Sequence, residues 1–293
     1  MRYLFGLVPL LVLLAASALA CVLGYFLVPL LGDVSPQKVI SKTTQVLLVL
    51  SIFPSMAYLK LTRQDLGFAD RSLFLQQVGL GFGLGLITLL PMFILLYNLD
   101  VMVIDETQVW TIAKIAEKTV IALLLALLIS LLEEPMFRGV LLMSLGRKMP
   151  MMTAALISAI YYATLHFIKS PTDIPASELT LMGSFQLLGH AFGNLLNPEI
   201  LSALFALLMV GIFLGILRLQ VPTSLGLCIG CHTCWVWQIK MSKTLFNTDF
   251  NADYAFLVSH YDGVTGSLVA GWLLLVILVY FAYRMRFARP SAP

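Results

Sequence analysis

Charged residues are scarce in this sequence of 293 residues, of which only 11% are Asp, Glu, Lys or Arg. No polar stretch is long enough to fold as a separate soluble domain. By contrast, 60% of the residues are hydrophobic, and the mean hydropathy is +0.95. A soluble domain of this size could not bury that much apolar surface. The composition therefore predicts a chain solvated by lipid, with residues 1–293 forming a single integral membrane domain.

Cysteine is scarce as well, and its placement argues against a disulfide framework. Three of the four cysteines, Cys228, Cys231 and Cys234, lie in one apolar run, and the fourth is Cys21. The first two precede His232 in the attachment pattern of a c-type haem, but this segment falls within a predicted span, where buried thiols at a helix crossing are the simpler interpretation. The sequence also lacks an internal repeat, which disfavours a transporter built from paired halves.

Apolar runs of about 20 residues, the length that crosses a bilayer core, recur along the whole chain. They predict an all-α fold, a polytopic membrane protein of about eight transmembrane helices. The predicted helices lie near 3–31, 42–62, 75–98, 116–146, 150–168, 200–219, 222–240 and 265–285. Because the first run continues past Cys21, it is predicted to be an uncleaved span and not a signal peptide. The connection 169–199 is predicted to hold a short interfacial helix on the outer face.

The distribution of loop charges predicts the orientation in the membrane. Every arginine outside the predicted spans falls on the side of the two termini, and so do Arg218 and Arg284 at the ends of their spans; the others are Arg2, Arg63, Arg71, Arg147, Arg286 and Arg289. Most acids, among them Asp33, Asp100 and Asp105, fall in the opposite loops. Since positive charge is retained on the cytoplasmic side, both termini are predicted to be cytoplasmic, in a multi-pass protein of a bacterial inner membrane.

Beyond Glu117 and Lys118 at its start, the apolar helix 116–146 contains three charged residues, in the run Glu133-Glu134-Pro135-Met136-Phe137-Arg138. Charges inside a span cost several kcal/mol each, so their presence is itself a prediction of a functional site. Glu134 and Arg138 are four residues apart and can pair on one face, whereas Glu133 points about 100° away from that face. A carboxylate in an apolar setting beside a second carboxylate is suited to act as a general base.

Two histidines lie in other predicted spans at a comparable depth. At 1.5 Å per residue, Glu133, His166 and His232 lie roughly 21, 27 and 21 Å from the nearest basic residues on the side of the termini. Two histidines and a glutamate can bind a catalytic zinc ion and leave one position open for water. Without metal, the glutamate can activate water while the histidines stabilise the oxyanion. Both interpretations stay open, with zinc as the possible cofactor.

The same residues resemble the motifs of the CAAX prenyl endopeptidase and bacteriocin-processing family, also called the Abi family. Its motif Glu-Glu-x-x-x-Arg is matched by Glu133, Glu134 and Arg138. Its motif Phe-x-x-x-His is matched by Tyr162 and His166, with tyrosine in place of phenylalanine. Its motif His-x-x-x-Asn is met at His232, but Val236 occupies the position of the Asn.

The resemblance covers residues 116–240 as a CAAX-protease-like catalytic core and implies an intramembrane endopeptidase. It implies that Glu133 activates water, that Glu134 and Arg138 organise the site, and that His166 and His232 bind the oxyanion or a metal ion. The expected partners are a membrane-associated protein or peptide substrate and the lipid bilayer, with no nucleic acid. The alternative, which Val236 keeps open, is a non-catalytic immunity or scaffold protein, or a proton-coupled transporter.

Overall fold

The computed structural model describes residues 2–32, 34–221 and 223–287. The α-helices are α1 (Val8–Leu27), α2 (Pro36–Leu50), α3 (Ile52–Leu59), α4 (Arg71–Asn98), α5 (Ile112–Glu134), α6 (Leu142–Gly146), α7 (Met151–Leu165), α8 (Leu181–Gly193), α9 (Leu201–Gln220), α10 (Leu225–Leu245) and α11 (Ser267–Phe287). A π-helical segment, Pro135–Leu141, joins α5 to α6. Short 3-10 turns are Arg2–Leu7, Val28–Leu30, Ala176–Glu178, Asn194–Leu196, Pro198–Ile200 and Ala255–Leu257. The predicted all-α fold is confirmed.

Within these ranges, six helical stretches are long and apolar enough to cross a bilayer. They are Leu4–Leu30, Pro36–Leu59, Arg71–Asn98, Ile112–Gly146, Pro198–Gln220 and Ser267–Arg286. The other two predicted spans are also helical but differ in character. Helix α7 has only 15 residues, and α10 is long enough but more polar and is enclosed by its neighbours along most of its length. Because α10 is shielded from lipid, it tolerates polar side chains such as His232 and Gln238.

Helices α4 and α10 pack closely against each other, since glycines lie on both sides of their crossing. Gly81 and Gly85 on α4 are spaced like Gly226 and Gly230 on α10. A Cβ atom at Gly81 would clash with the carbonyl oxygen of Leu227, and one at Gly85 would lie 2.6 Å from the Cβ of Cys234. Small residues four apart allow helix backbones to approach in this way. The crossing fixes α10, and with it His232, against α4.

The main core lies where α4, α7, α9, α10 and α11 meet. It contains Leu89, Tyr162, Leu214, Trp235 and Leu273. Within it, the indole N–H of Trp235 donates to the hydroxyl of Thr88, at 2.8 Å. All four cysteines are buried and free, in keeping with the predicted absence of a disulfide framework.

Two features outside the spans complete the fold. Strands β1 (Met102–Ile104) and β2 (Phe246–Thr248) pair antiparallel, with Val103 opposite Asn247, and so connect the α4–α5 loop to the α10–α11 loop. The predicted short helix in 169–199 is present as α8, which packs against α1. Its position relative to the membrane surface stays a prediction. Asp33, Arg289 and the two chain ends, whose orientation was predicted from the charges, lie outside the described residues, as does the side chain of Arg2.

Candidate active site

The charged motif forms one buried cluster with His232 of α10. The guanidinium Nη1 of Arg138 donates to Oε1 of Glu134 at 3.0 Å, which confirms the predicted pairing of these two residues. Nδ1 of His232 lies 2.7 Å from the same oxygen. Glu134, Arg138 and His232 are 0%, 1% and 3% exposed, so the ion pair and its histidine are removed from both lipid and water. Glu134 thus neutralises Arg138 and orients His232 at once.

Glu133 has a different environment, as the predicted rotation away from Glu134 requires. Its side chain is 28% exposed, and its nearest charged partner is His232, with 3.9 Å between Oε2 and Nε2. That oxygen is itself buried and accepts no hydrogen bond from the described residues. Buried acceptors are almost always satisfied, and two acceptors 3.9 Å apart can each receive one hydrogen of a single water molecule. The geometry therefore fits a water held between Glu133 and His232.

The π-helical segment explains how the motif projects into the site. Pro135 has no N–H to donate to the preceding turn, and the helix widens there. The carbonyl oxygen of Phe137 accepts a hydrogen bond from the hydroxyl of Ser158 on α7, at 3.0 Å. This bond satisfies a carbonyl in the widened stretch and ties α5 to α7. Ser158 was not identified from the sequence, because a serine in an apolar helix carries no motif.

Helix α7 brings Tyr162 and His166 to the cluster. The ring of Tyr162 lies 4.4 Å from the guanidinium carbon of Arg138, and its centroid is 4.7 Å from the ring of His166 and 6.1 Å from that of His232. Nδ1 of His166 lies 2.7 Å from the carbonyl oxygen of Tyr162. His166 thus lies at the partly exposed edge of the site, and Tyr162 contacts both His166 and Arg138 of the buried cluster.

The hydrogen bonds determine which nitrogen of each histidine carries a proton. An ionised carboxylate and a carbonyl oxygen only accept, so Nδ1 of His232 donates to Glu134 and Nδ1 of His166 donates to Tyr162. In a neutral ring Nε2 then has a free lone pair. Both Nε2 atoms can accept a proton or a hydrogen bond.

The predicted zinc ligands Glu133, His166 and His232 do not form a compact set. Among the described residues, no three His, Cys, Asp or Glu side chains lie close enough together to bind one metal ion. The arrangement of these three side chains therefore does not fit a single zinc ion. The presence of zinc stays a prediction that metal analysis can test.

A polar cavity of about 320 Å³ is formed mainly by the loops that follow α7 and β2, and none of the five motif residues lines it. Its walls include Lys169, Asn194, Glu199, His260 and Tyr261. The phenol of Tyr261 donates to the carbonyl oxygen of His166 at 3.0 Å. Burial, and next the neighbouring Asp262 carboxylate, raise the pKa of Tyr261 above its usual value, so this hydroxyl remains a donor at neutral pH. Tyr261 was not predicted, since nothing in the sequence places its loop beside α7.

Two carboxylates, a guanidinium and two histidines from three helices thus form one polar cluster within a membrane protein. Residues 115–238 match the family model described as Rce1-like, type II CAAX prenyl endopeptidase Rce1-like. This match confirms, over residues 115–238, the resemblance predicted from the motifs. No curated protein and no solved structure showed significant similarity to the chain.

Proposed function

We propose that the protein is an intramembrane endopeptidase that hydrolyses a peptide bond of a membrane-associated protein or peptide, with Glu133 as the base that activates water. The observation that carries this proposal is the contrast between the two adjacent acids. Each acid has one buried oxygen without a hydrogen-bond partner among the described residues. Glu134 is fully buried and shares its other oxygen between Arg138 and His232, whereas the Glu133 side chain is 28% exposed and its free oxygen faces His232. Glu133 is therefore the acid that water and a substrate can reach.

The bound water would donate one hydrogen to Glu133 and the other to Nε2 of His232. As Glu133 takes its proton, the water oxygen attacks the scissile carbonyl carbon, and the carbonyl oxygen becomes an oxyanion. When this intermediate collapses, the C–N bond breaks and Glu133 returns the proton to the leaving amine. His232, held by Glu134, fixes the direction of the attacking water. His166 is proposed to contact the substrate at the partly exposed edge of the site.

The site would shield water from hydrocarbon, as peptide hydrolysis at this depth requires. The polar cavity is proposed to receive the hydrophilic part of a peptide substrate, since its wall residue Tyr261 contacts the carbonyl oxygen of His166. The family description supports a substrate processed near a lipid-modified end. A plain peptide or another membrane protein's terminus is the alternative, and a prenyl group on the substrate distinguishes the two.

The test is cleavage of quenched fluorescent peptides, with and without a farnesylated cysteine, by purified protein in liposomes. Wild-type protein is compared with Glu133→Gln and with Glu117→Gln, which removes an exposed acid from the same helix α5. The proposal predicts cleavage by the wild type and by the Glu117 variant, and its loss in the Glu133 variant. Zinc content is assayed on the same samples. Absence of cleavage by folded wild-type protein in every lipid tested would refute the proposal and favour a scaffold or transporter.

A further inference from the structure

Peptide hydrolysis at this site requires a hydrogen-bond donor for the oxyanion, and the histidines do not supply one. Their N–H groups at Nδ1 are engaged with Glu134 and with the carbonyl oxygen of Tyr162. In the neutral rings, Nε2 has a lone pair, which repels an oxyanion. If His232 were protonated, its Nε2–H would be drawn to the Glu133 carboxylate, 3.9 Å away. The donor must come from another side chain. Arg138 has Nη2 without a hydrogen-bond partner among the described residues, and Tyr162 has a hydroxyl.

The position that supplies an amide in the related motif also supplies none here. Val236 lies one turn after His232 on α10 and is half-buried. Its side chain has no donor or acceptor. At the same time, the chain has a hydroxyl at residue 162, where the motif has phenylalanine. Relative to the motifs, Val236 removes one hydrogen-bond donor and Tyr162 adds one.

Tyr162 is 2% exposed, and its ring is held on three sides. Phe137 packs edge-on at 5.2 Å, the Arg138 guanidinium lies 4.4 Å from the ring, and His166 lies 4.7 Å away. Its hydroxyl has no hydrogen-bond partner among the described residues, while the ring lies against the Arg138 guanidinium and His166. A buried phenol normally has a hydrogen-bond partner. The partner of this one is therefore expected to be a bound molecule.

We propose that the hydroxyl of Tyr162 is a catalytic donor that stabilises the oxyanion of the tetrahedral intermediate. This inference rests on the proposed peptidase function and adds a residue to it. When the water oxygen bonds to the carbonyl carbon, the π electron pair moves to the carbonyl oxygen, and the Tyr162 O–H donates to it. The hydroxyl keeps its proton throughout, since Glu133 takes the proton of the water and returns it to the amine. Arg138 beneath the ring makes the hydroxyl a stronger donor.

The test is the variant Tyr162→Phe, which removes one oxygen and keeps the ring contacts with Phe137 and Arg138. Tyr161→Phe is the matched control, because the Tyr161 hydroxyl donates to the carbonyl oxygen of Gly6, at 2.7 Å, and not into the site. The measurements are kcat, KM, the pH dependence of kcat and the thermal midpoint, Tm, of unfolding.

For Tyr162→Phe we expect a loss of kcat of about 100-fold or more, with KM, the pH profile and Tm close to wild type. For Tyr161→Phe we expect wild-type kcat and a lower Tm. An unchanged kcat in Tyr162→Phe would overturn the inference. If Tyr162→Phe shifted the acidic side of the plot of kcat against pH but left the maximal kcat unchanged, the inference would also be overturned, because the hydroxyl would then act through Glu133. If the wild type shows no Glu133-dependent cleavage, the proposed function itself fails, and the inference fails with it.

Discussion

His232 and Glu134 are joined by a hydrogen bond of 2.7 Å across 98 residues of sequence, and the same oxygen of Glu134 accepts from Arg138 at 3.0 Å. One carboxylate oxygen therefore accepts hydrogen bonds from two segments, the π-helical stretch and α10. The arrangement separates structural and chemical tasks between adjacent acids: Glu134 holds the cluster together, and Glu133 remains available. Glu134→Gln is therefore expected to lower stability, and Glu133→Gln is expected to lower activity.

For Glu134→Gln we expect severe destabilisation, because the buried charge of Arg138 would lose its counter-ion. Breaking a buried pair in this way costs about 3–5 kcal/mol. Arg138→Met should be destabilising for the same reason. The double variant should lose less than the sum of the two single losses, since neither charge is then left unpaired. Unfolding free energies of the four proteins in mixed micelles test this, and strictly additive losses would contradict the pairing.

For Glu133→Gln we expect the reverse, a loss of activity without a loss of stability. General-base catalysis contributes about 10²–10⁴-fold to the rate, so kcat should fall by that order. The unfolding free energy should change by less than about 1 kcal/mol, because Glu133 makes no hydrogen bond to the described residues. Kinetics and thermal unfolding on one preparation provide the comparison. A stable variant with wild-type kcat would remove Glu133 from the mechanism.

Much of the site could be predicted from the sequence because charges in an apolar helix are conspicuous and their spacing fixes which of them share a face. The pairing of Glu134 with Arg138 followed from a separation of four residues. The contact of Glu134 with His232 could not be predicted, since it depends on how α10 is rotated against α5. The proposed role of Tyr162 could not be predicted either, since it depends on the hydrogen bonds that engage Nδ1 of both histidines.

The helix-packing pattern was less evident in the sequence. The glycines of α4 and α10 have a spacing typical of close helix pairs in membranes, yet glycine is common throughout such helices, so the spacing alone does not identify the partners. The short antiparallel pair β1–β2 could not be predicted from runs of three residues. For α7, length was overestimated, because apolar residues continue past Leu165 into the turn that holds His166.

For Gly67→Ala we expect a loss of about 1–3 kcal/mol of stability. Gly67 has φ +96°, which disfavours any side chain, and a Cβ atom there would lie 2.5 Å from the guanidinium carbon of Arg218. Arg218 is 3% exposed and donates to the carbonyl oxygen of Asp65 at 3.0 Å. Gly79→Ala is the control, since that Cβ would meet nothing within 4 Å. Equal unfolding free energies for both variants would contradict this view of the loop.

The loop before α4 should lose stability in acid through Asp65. The backbone N–H and the hydroxyl of Thr62 both donate to its carboxylate at 2.7 Å, and these bonds lower the pKa of Asp65 below 3.8. Because the pKa is lower in the folded state, the contribution is complete well above pH 3.8 and is lost as the pH falls through the lowered pKa. The Tm difference between wild type and Asp65→Asn should therefore shrink on acidification. Asp253→Asn, at an exposed position, is the control, and a difference that persists in acid would refute the assignment.

The predicted orientation can be tested with introduced cysteines, because all four native thiols are buried. We expect a membrane-impermeant maleimide to label Ser177→Cys in intact spheroplasts and Lys60→Cys only after permeabilisation. Both positions are exposed, and they lie in connections predicted to be on opposite sides of the membrane. The reverse pattern would place the termini outside.

The π-helical stretch Pro135–Leu141 has a consequence for how such sequences can diverge. Each extra residue accommodated in a widened turn rotates the following helix by about 100° relative to an uninterrupted one. Leu142 and Leu145 are both buried against α7, together with Ala154. Deleting one residue after Arg138 would keep the Glu134–Arg138 pair but turn these leucines away from α7. Insertions and deletions should therefore be purged from this stretch during evolution, even where substitutions of its individual side chains are tolerated.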